Sequence, residues 1–504
     1  MDGTAKRRDR QLMSADQRSR LSLGAKIREH RAFIVIIAFA FALRVLVTVT
    51  YQPALFFTGD SVGYLDNSAH LVPGDARPLL YAVFLRIVLV LHRLILVPVV
   101  QHIFGLAVAM ITYALLRHLK VGSVLAILAT LFVLFDPLQL VIEEHVLSES
   151  LFQLIVVASL AVLVWRPKPS VLQCGLVGAG IAAATITRDV GLILIIPVLF
   201  FALLQRFGWR RLATLSIAMA VPLLAYAGWF DSTYNSFALQ KFTGRFLYGR
   251  VAPFASCNGL TLTKIERSLC PTLTPRSPWP SLYVWGTPSP FNHPPVGGNP
   301  QANQIALSFS LKVIEHQPFS YAAAVTDDFL DFFKPARSTG PDADPVAVDF
   351  PFRLDTLTAY PSPDITAWIK RANNSPTAHP VIVRPLAQGL IDWQRRFYFP
   401  GPVFALALLA GFAGAVGRSR EAVRRLGAES LLYSSSAALL MLVPVAAVVF
   451  DYRHMEPSYP LLGTCGAIGT FVLMERLGKR RRRRSGVGEV ELTSTPDVTI
   501  APGG

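Results

Sequence analysis

The sequence predicts an all-α polytopic membrane bundle of about ten transmembrane helices, with a mixed extracytoplasmic segment between the seventh and eighth spans. Three observations carry that expectation. The 504-residue chain is 52% hydrophobic and only 16% charged, whereas soluble proteins carry about 25% charged residues. Ten apolar stretches are long enough to cross a bilayer, each of about 18–22 residues. The turns between them alternate in charge. The net charge of +16 sits largely in short turns and at the two ends, a placement that suits membrane topology and not a nucleic-acid partner.

Taken in order, residues 1–31 form a basic tail, and the first apolar run, Ala32 to Thr48, follows it. Val47 to Tyr51 offers no small-residue cleavage site, so the run reads as a retained signal anchor. The spans fall near 33–50, 96–116, 122–140, 147–165, 171–187, 190–206, 212–230, 400–417, 428–450 and 458–475. With the N-terminus in the cytoplasm, every cytoplasmic turn is basic. Those turns hold Arg117 and Lys120, Arg166 and Lys168, the Arg206, Arg210 and Arg211 group, and the four arginines from Arg418 to Arg425. The run from Arg476 to Arg484 then also falls inside. Most acids fall outside: Asp60, Asp66, Asp75, Glu143, Glu144, Asp189 and Asp451. The expectation is a multi-pass plasma-membrane protein with both termini cytoplasmic.

Its organisation is a tail at 1–31, seven spans over 32–230, an extracytoplasmic segment at 231–399, three spans over 400–475, and a basic, then disordered tail at 476–504. The first external loop, 51–95, carries two amphipathic stretches, Ser61 to Val72 and Leu79 to His92, suited to the interface. The large segment has a helical piece from Ile305 to Phe333, and its Asp327, Asp328 and Lys334 read as surface charge. Cys174 and Cys465 fall inside spans as buried thiols, while Cys257 and Cys270 share the external segment, where oxidising conditions let them pair. Such a bridge is worth about 3 kcal/mol in the chain-entropy model. No second Cys or His pair stands at zinc-ligand spacing.

In a membrane protein the costly polar groups mark function, and here they gather at the external ends of the spans. In order they are Gly59-Asp60-Ser61-Val62-Gly63-Tyr64-Leu65, Arg77-Pro78-Leu79-Leu80-Tyr81 and Phe135-Asp136-Pro137. Glu143-Glu144-His145-Val146-Leu147-Ser148-Glu149-Ser150, Thr187-Arg188-Asp189 and Asp451-Tyr452-Arg453-His454-Met455-Glu456-Pro457 follow. A bundle would bring these groups to one depth, around one cavity.

This ordered set resembles the lipid-carrier-dependent glycosyltransferases of the GT-C fold, the superfamily of protein O-mannosyltransferases and aminoarabinose transferases. The resemblance covers nearly all of residues 30–475 in order and topology. It rests on Asp60 with Tyr64 four residues on, Arg77-Pro-x-x-Tyr81, the Leu-Ser-Glu-Ser around Glu149, the Arg188 turn, and the late Tyr452-Arg453-His454-x-Glu456-Pro. Many relatives have two adjacent acids in the first loop. Here Asp60 is followed by Ser61, which weighs against a paired carboxylate or a metal there.

The resemblance implies that a sugar moves from a polyprenyl-phosphate donor to an acceptor hydroxyl on a protein or an envelope glycan. The leaving phosphate needs no strong acid, whereas the hydroxyl gains from one base. Asp60 is the candidate base, with inversion by single displacement. Fixed cations lower the barrier as charge grows on the phosphate, and Arg77, Arg188 and Arg453 are candidates for that. Tyr64, Tyr81, Glu144, His145, Glu149, Tyr452, His454 and Glu456 are candidates to orient donor or acceptor. Glu143 reads as a buried acid paired with an Arg, and Arg44 as an intramembrane charge paired with another span. No cofactor is assigned. A divalent metal, Mg²⁺ or Mn²⁺, is left open because His145 and Glu149 share a helix face. Anionic lipids are expected partners of the basic tails. Mannose is the first expectation for the sugar and a pentose the second. The rival reading is a polyprenyl-lipid transporter or a non-catalytic lipid-binding protein of envelope assembly; a transporter often shows internal repeats and broken mid-membrane helices, and no repeat is seen here.

Overall fold

The computed structural model describes residues 30–273, 275–337, 351–354, 363–416 and 421–484. Of the tails expected at 1–31 and 476–504, residues 1–29 and 485–504 lie outside the described residues, as do Arg418 and Arg420. The fold is a multi-pass, almost wholly helical membrane bundle. Apolar α1 (His30–Thr50) leads into α2 (Thr58–His70) and α3 (Leu80–Leu89), the two amphipathic pieces of the first loop. Next come α4 (Leu96–His118), α5 (Ser123–Leu128), α6 (Leu131–Phe135), α7 (Pro137–Glu144), α8 (Glu149–Val164) and α9 (Val171–Thr187). A 3₁₀ turn at Asp189–Leu194 runs into α10 (Ile195–Leu204), and α11 (Trp209–Tyr234) closes the first part of the bundle.

Among the described residues, four helical stretches are long and apolar enough to cross a membrane: α1, α4, α11 and Leu426–Ala447, within α20 (Glu421–Ala447). A fifth arises if α18 (Arg384–Arg396) and α19 (Gly401–Ala415), bent by 55°, count as one span. The remaining expected spans are helical but shorter or broken. At 16 residues, α8 rises about 24 Å, short of the ~30 Å hydrocarbon core. The 122–140 run is cut into α5, α6 and α7, the last cut made by Asp136, which caps α7 by accepting from Leu138 N at 3.0 Å with Pro137 at the first position. A hydropathy window reads through such breaks.

Close helix approach comes from small residues. The closing helix, α21 (Tyr459–Arg484), packs on α19 and α20. A Cβ at Gly463 or Gly469 would run into the Ala129 or Ala410 carbonyl, so these glycines set the interaxial distance.

The segment between α11 and α19 holds α12 (Thr243–Val251), α13 (Lys264–Arg267), α14 (Pro280–Trp285), α15 (Ala302–His316), α16 (Pro318–Asp331) and α17 (Pro363–Ala372). Its first part gathers a small core of Tyr248, Leu269, Tyr283 and Phe309 beside a Cys257–Cys270 disulfide, while Trp368, Ile369 and Leu390 join the bundle core. The expected 305–333 helix is two helices, because Pro318 opens a new one. Asp328 is not plain surface charge, since it pairs with buried Arg250. Strand pairing and side-chain hydrogen bonds fasten the segment to the bundle. Strand β1 (Tyr51–Gln52) pairs antiparallel with β2 (Val381–Ile382). Trp368 Nε1 donates to Asp66 Oδ1 at 3.0 Å, and Arg337 Nη2 donates to Asp136 Oδ2 at 2.6 Å.

Candidate functional site

The site is assembled on the turn before α8. Leu55 N donates to the Glu144 carbonyl and Val146 N to the Leu55 carbonyl, both at 3.0 Å. Ser61 Oγ donates to the Val146 carbonyl at 2.9 Å and accepts from Phe57 N at 2.9 Å. These bonds stitch the start of α2 to that turn and hold Asp60, in the first turn of α2, against the N-terminus of α8. On the opposite side, Asp451 accepts from Arg453 N at 2.8 Å, shaping the short turn that presents Arg453.

Both oxygens of Asp60 are engaged by guanidiniums. Arg77 Nε donates to Oδ1 at 2.9 Å, and Arg453 Nη1 donates to Oδ2 at 2.7 Å. Arg453 continues the chain, its Nε lying 3.2 Å from Glu149 Oε1. Arg188 Nη1 approaches the same oxygen at 2.5 Å. Arg188 Nη1 also donates to Ser148 Oγ at 3.3 Å, and that hydroxyl is 2.8 Å from Tyr64 OH. The result is an alternating row, Arg77–Asp60–Arg453–Glu149–Arg188, drawn from five separate parts of the chain. Phe57 lies under Arg453, 5.2 Å from its ring centroid to the guanidinium carbon.

Beside the row, Arg188, Asp189 and His454 line a cavity of about 150 Å³ whose other wall is apolar: Val443, Pro444 and Val448 of α20 among others. One end is polar, with Arg188 beside Asp189 and His454, and the other is membrane helix.

Burial opposes charge on Asp60, yet Arg77 and Arg453 outweigh it and hold its carboxyl well below the usual range. Burial pushes His454 well down, and Arg453 and Arg188 push it further, so it faces the cavity as neutral imidazole. His145 is pushed down to about 4, by burial first and by the Arg453 charge, against a hydrogen bond to the Val141 carbonyl. Burial drives Glu456 well up, with Glu149 and Glu143 adding to it.

The structure therefore brings together Asp60, Tyr64, Arg77, Glu149, Arg188, Arg453 and His454 from the expected set. Tyr81 stands behind them, edge-on to Tyr64 at 4.7 Å between ring centroids, with its hydroxyl donating to Gln101 Oε1 at 2.6 Å. Tyr452 turns to Phe450 and Phe332. Glu144 points away from Asp60 into a second buried network: its Oε2 is 2.9 Å from His102 Nε2 and accepts from Thr48 Oγ1 at 3.2 Å. His102 Nδ1 is 2.7 Å from Glu143 Oε2, and Arg44 Nε donates to that oxygen at 2.9 Å. Glu143 is thus the partner of intramembrane Arg44. Among the described residues, no group of three or more His, Cys, Asp or Glu side chains is arranged to hold a metal ion, and Asp60 and Glu149 face guanidiniums instead.

Sequence reasoning missed Gln101, His102, Gln153 and Arg337. The first two stand inside an apolar span, and their cost there was the available signal. Nothing local marks Arg337, which lies 201 residues from Asp136.

The chain matches no family model and no curated protein. Among solved structures it is similar to ArnT from Cupriavidus metallidurans bound to undecaprenyl phosphate, with 14% identity and a TM-score of 0.33 over 90% of this chain and 80% of that one. For the apo state of the same protein the values are 17% and 0.32, over 87% and 78%. A likeness this distant says nothing about substrate or mechanism.

Proposed function

We propose that this protein is a membrane glycosyltransferase that moves a sugar from a polyprenyl-phosphate donor to an acceptor hydroxyl with inversion. The observation that carries the reading is Asp60 held between two guanidiniums, next to a cavity that is polar at one end, where Arg188 lies, and apolar at the other. A lipid phosphate has that same polarity. Arg188 and His454 are placed for the phosphate, and the α20 wall for the first isoprene units. The basic turns at the other end support an extracytoplasmic placement of this one.

In the transfer, the acceptor oxygen attacks the anomeric carbon and the bond from that carbon to the phosphate oxygen breaks. The hydroxyl proton passes to Asp60, and polyprenyl phosphate leaves with the electron pair. As it stands, Asp60 is a poor base, because two cations stabilise its ionised form. The donor resolves this: its phosphate competes for Arg453, and each contact it takes from Asp60 frees a carboxylate oxygen for the acceptor. The same arginines then meet the charge that grows on the leaving group. Mannose, or second a pentose, is the sugar this reading carries over from the sequence, and a protein or envelope glycan the acceptor.

Binding of polyprenyl phosphate to purified protein in detergent tests the anion site. Arg453→Ala removes a charge-assisted hydrogen bond worth about 1.5–3 kcal/mol, so affinity should fall by roughly ten- to hundredfold. Unchanged affinity in both Arg453→Ala and Arg188→Ala would overturn the assignment.

A further inference from the structure

Glu456 sits three residues from Arg453, yet it does not join the arginine row. It is fully buried. Gln153 Nε2 donates to its Oε1 at 3.1 Å and to its backbone carbonyl at 2.9 Å. Gln153 and Gln139 exchange amide hydrogen bonds at 3.2 and 3.1 Å, and Gln139 Nε2 reaches Glu143 Oε1 at 3.0 Å. An amide ladder therefore links α7, α8 and the turn that carries Arg453. The ladder's other carboxylate, Glu143, is compensated by Arg44, and the nearby Glu149 by Arg188 and Arg453. Glu456 has only amides. Among the described residues its Oε2 has no hydrogen-bond partner and the side chain no ion pair. A buried carboxylate without a cation costs so much that the group takes up a proton instead.

We propose that Glu456 is a positioning residue that works as an uncharged carboxylic acid, locking the Arg453 turn onto α8 through Gln153. This rests on the transferase reading only for what the turn is held to do. The charged and titratable groups around it are Glu149 on α8, Glu143 on α7, Arg188 after α9, and Tyr459 on α21. From its own side come Arg453 and His454, and α20 meets the turn through the Ala437 carbonyl, which accepts from Ser458 Oγ. Burial first, and then the two nearby carboxylates, favour the protonated form of Glu456. Ionised, it would compete with Glu149 and Asp60 for Arg188 and Arg453, and the row would loosen.

The test compares wild type, Glu456→Gln and Glu456→Ala in detergent, reading Tm and polyprenyl phosphate binding from pH 5 to pH 9. A raised folded-state pKa gives stability that is full below the ordinary Glu range and is lost as pH rises towards the folded value. Wild type should therefore lose Tm relative to Glu456→Gln as pH rises, and the gap should be smallest at pH 5. Gln, neutral and the same shape, should rescue the lipid binding that Ala loses. A Tm difference that does not change with pH, or a Gln variant as impaired as Ala, would overturn the proposal. Should wild type bind no polyprenyl phosphate, the transferase reading fails, and the Tm comparison still decides the state of Glu456.

Discussion

Asp60 and Arg453 exchange one hydrogen bond at 2.7 Å, and that contact sets opposite expectations for binding and for rate. Asp60→Asn keeps the shape, removes the base, and leaves Arg77 and Arg453 without their counter-charge. Transfer should drop by about 10²–10⁴-fold, the usual worth of a general base, while polyprenyl phosphate binds more tightly. Initial rates and a binding isotherm on the same preparation check both arms; parallel losses would mean that Asp60 only shapes the site. His145 gives a pH expectation. Its folded value of about 4 lies below the ordinary 6.5, so the unfolded chain takes up its proton first and stability should fall as pH drops from about 6.5 towards 4. His145→Gln should flatten that limb in Tm measurements, and an unchanged slope would remove His145 as its source.

At the scale of elements, the second buried network explains a glycine. A methyl group on Gly105 of α4 would run into the Glu143 carboxylate and approach Arg44. Gly105→Ala should cost about 1–3 kcal/mol as an overpacked core does, read as a fall in Tm, whereas Gly208→Ala, with open space around its Cβ position, should not. What was legible in the sequence at this scale was local. The amphipathic loop stretches became α2 and α3, and the ordered motifs supplied Asp60, Arg77, Arg188 and Arg453. Hydropathy does not register capping, so the cuts at Asp136 and Pro318 escaped it. Glu144 and Glu149 look alike in sequence, and only packing sends the first to His102 and the second to Arg188 and Arg453. The amide ladder behind Glu456 was equally hidden, because Gln153 lies 303 residues from its partner.

For the molecule as a whole, the first part of the segment between α11 and α19 has a core of its own, its later part packs into the bundle core, and strand pairing and side-chain bonds tie the segment to the bundle. Replacing Cys257 and Cys270 with Ser should destabilise the first part by about 2–4 kcal/mol, seen as earlier proteolysis of this segment than of the membrane helices. On the topology expected from the basic turns, these two cysteines face outward. After gentle reduction, a membrane-impermeant maleimide should label them in intact cells, and labelling only in inverted vesicles would reverse the topology. The central claim, transfer from a lipid phosphate with Asp60 as base, is tested most directly by sugar transfer in nanodiscs. The assay supplies radiolabelled polyprenyl-phosphate sugars and a crude envelope acceptor, with wild type beside Asp60→Asn. Label should appear in the acceptor with wild type and almost none with the variant. Equal transfer by both would contradict the assigned base, and no transfer by wild type from any polyprenyl-phosphate sugar it binds would contradict the enzyme.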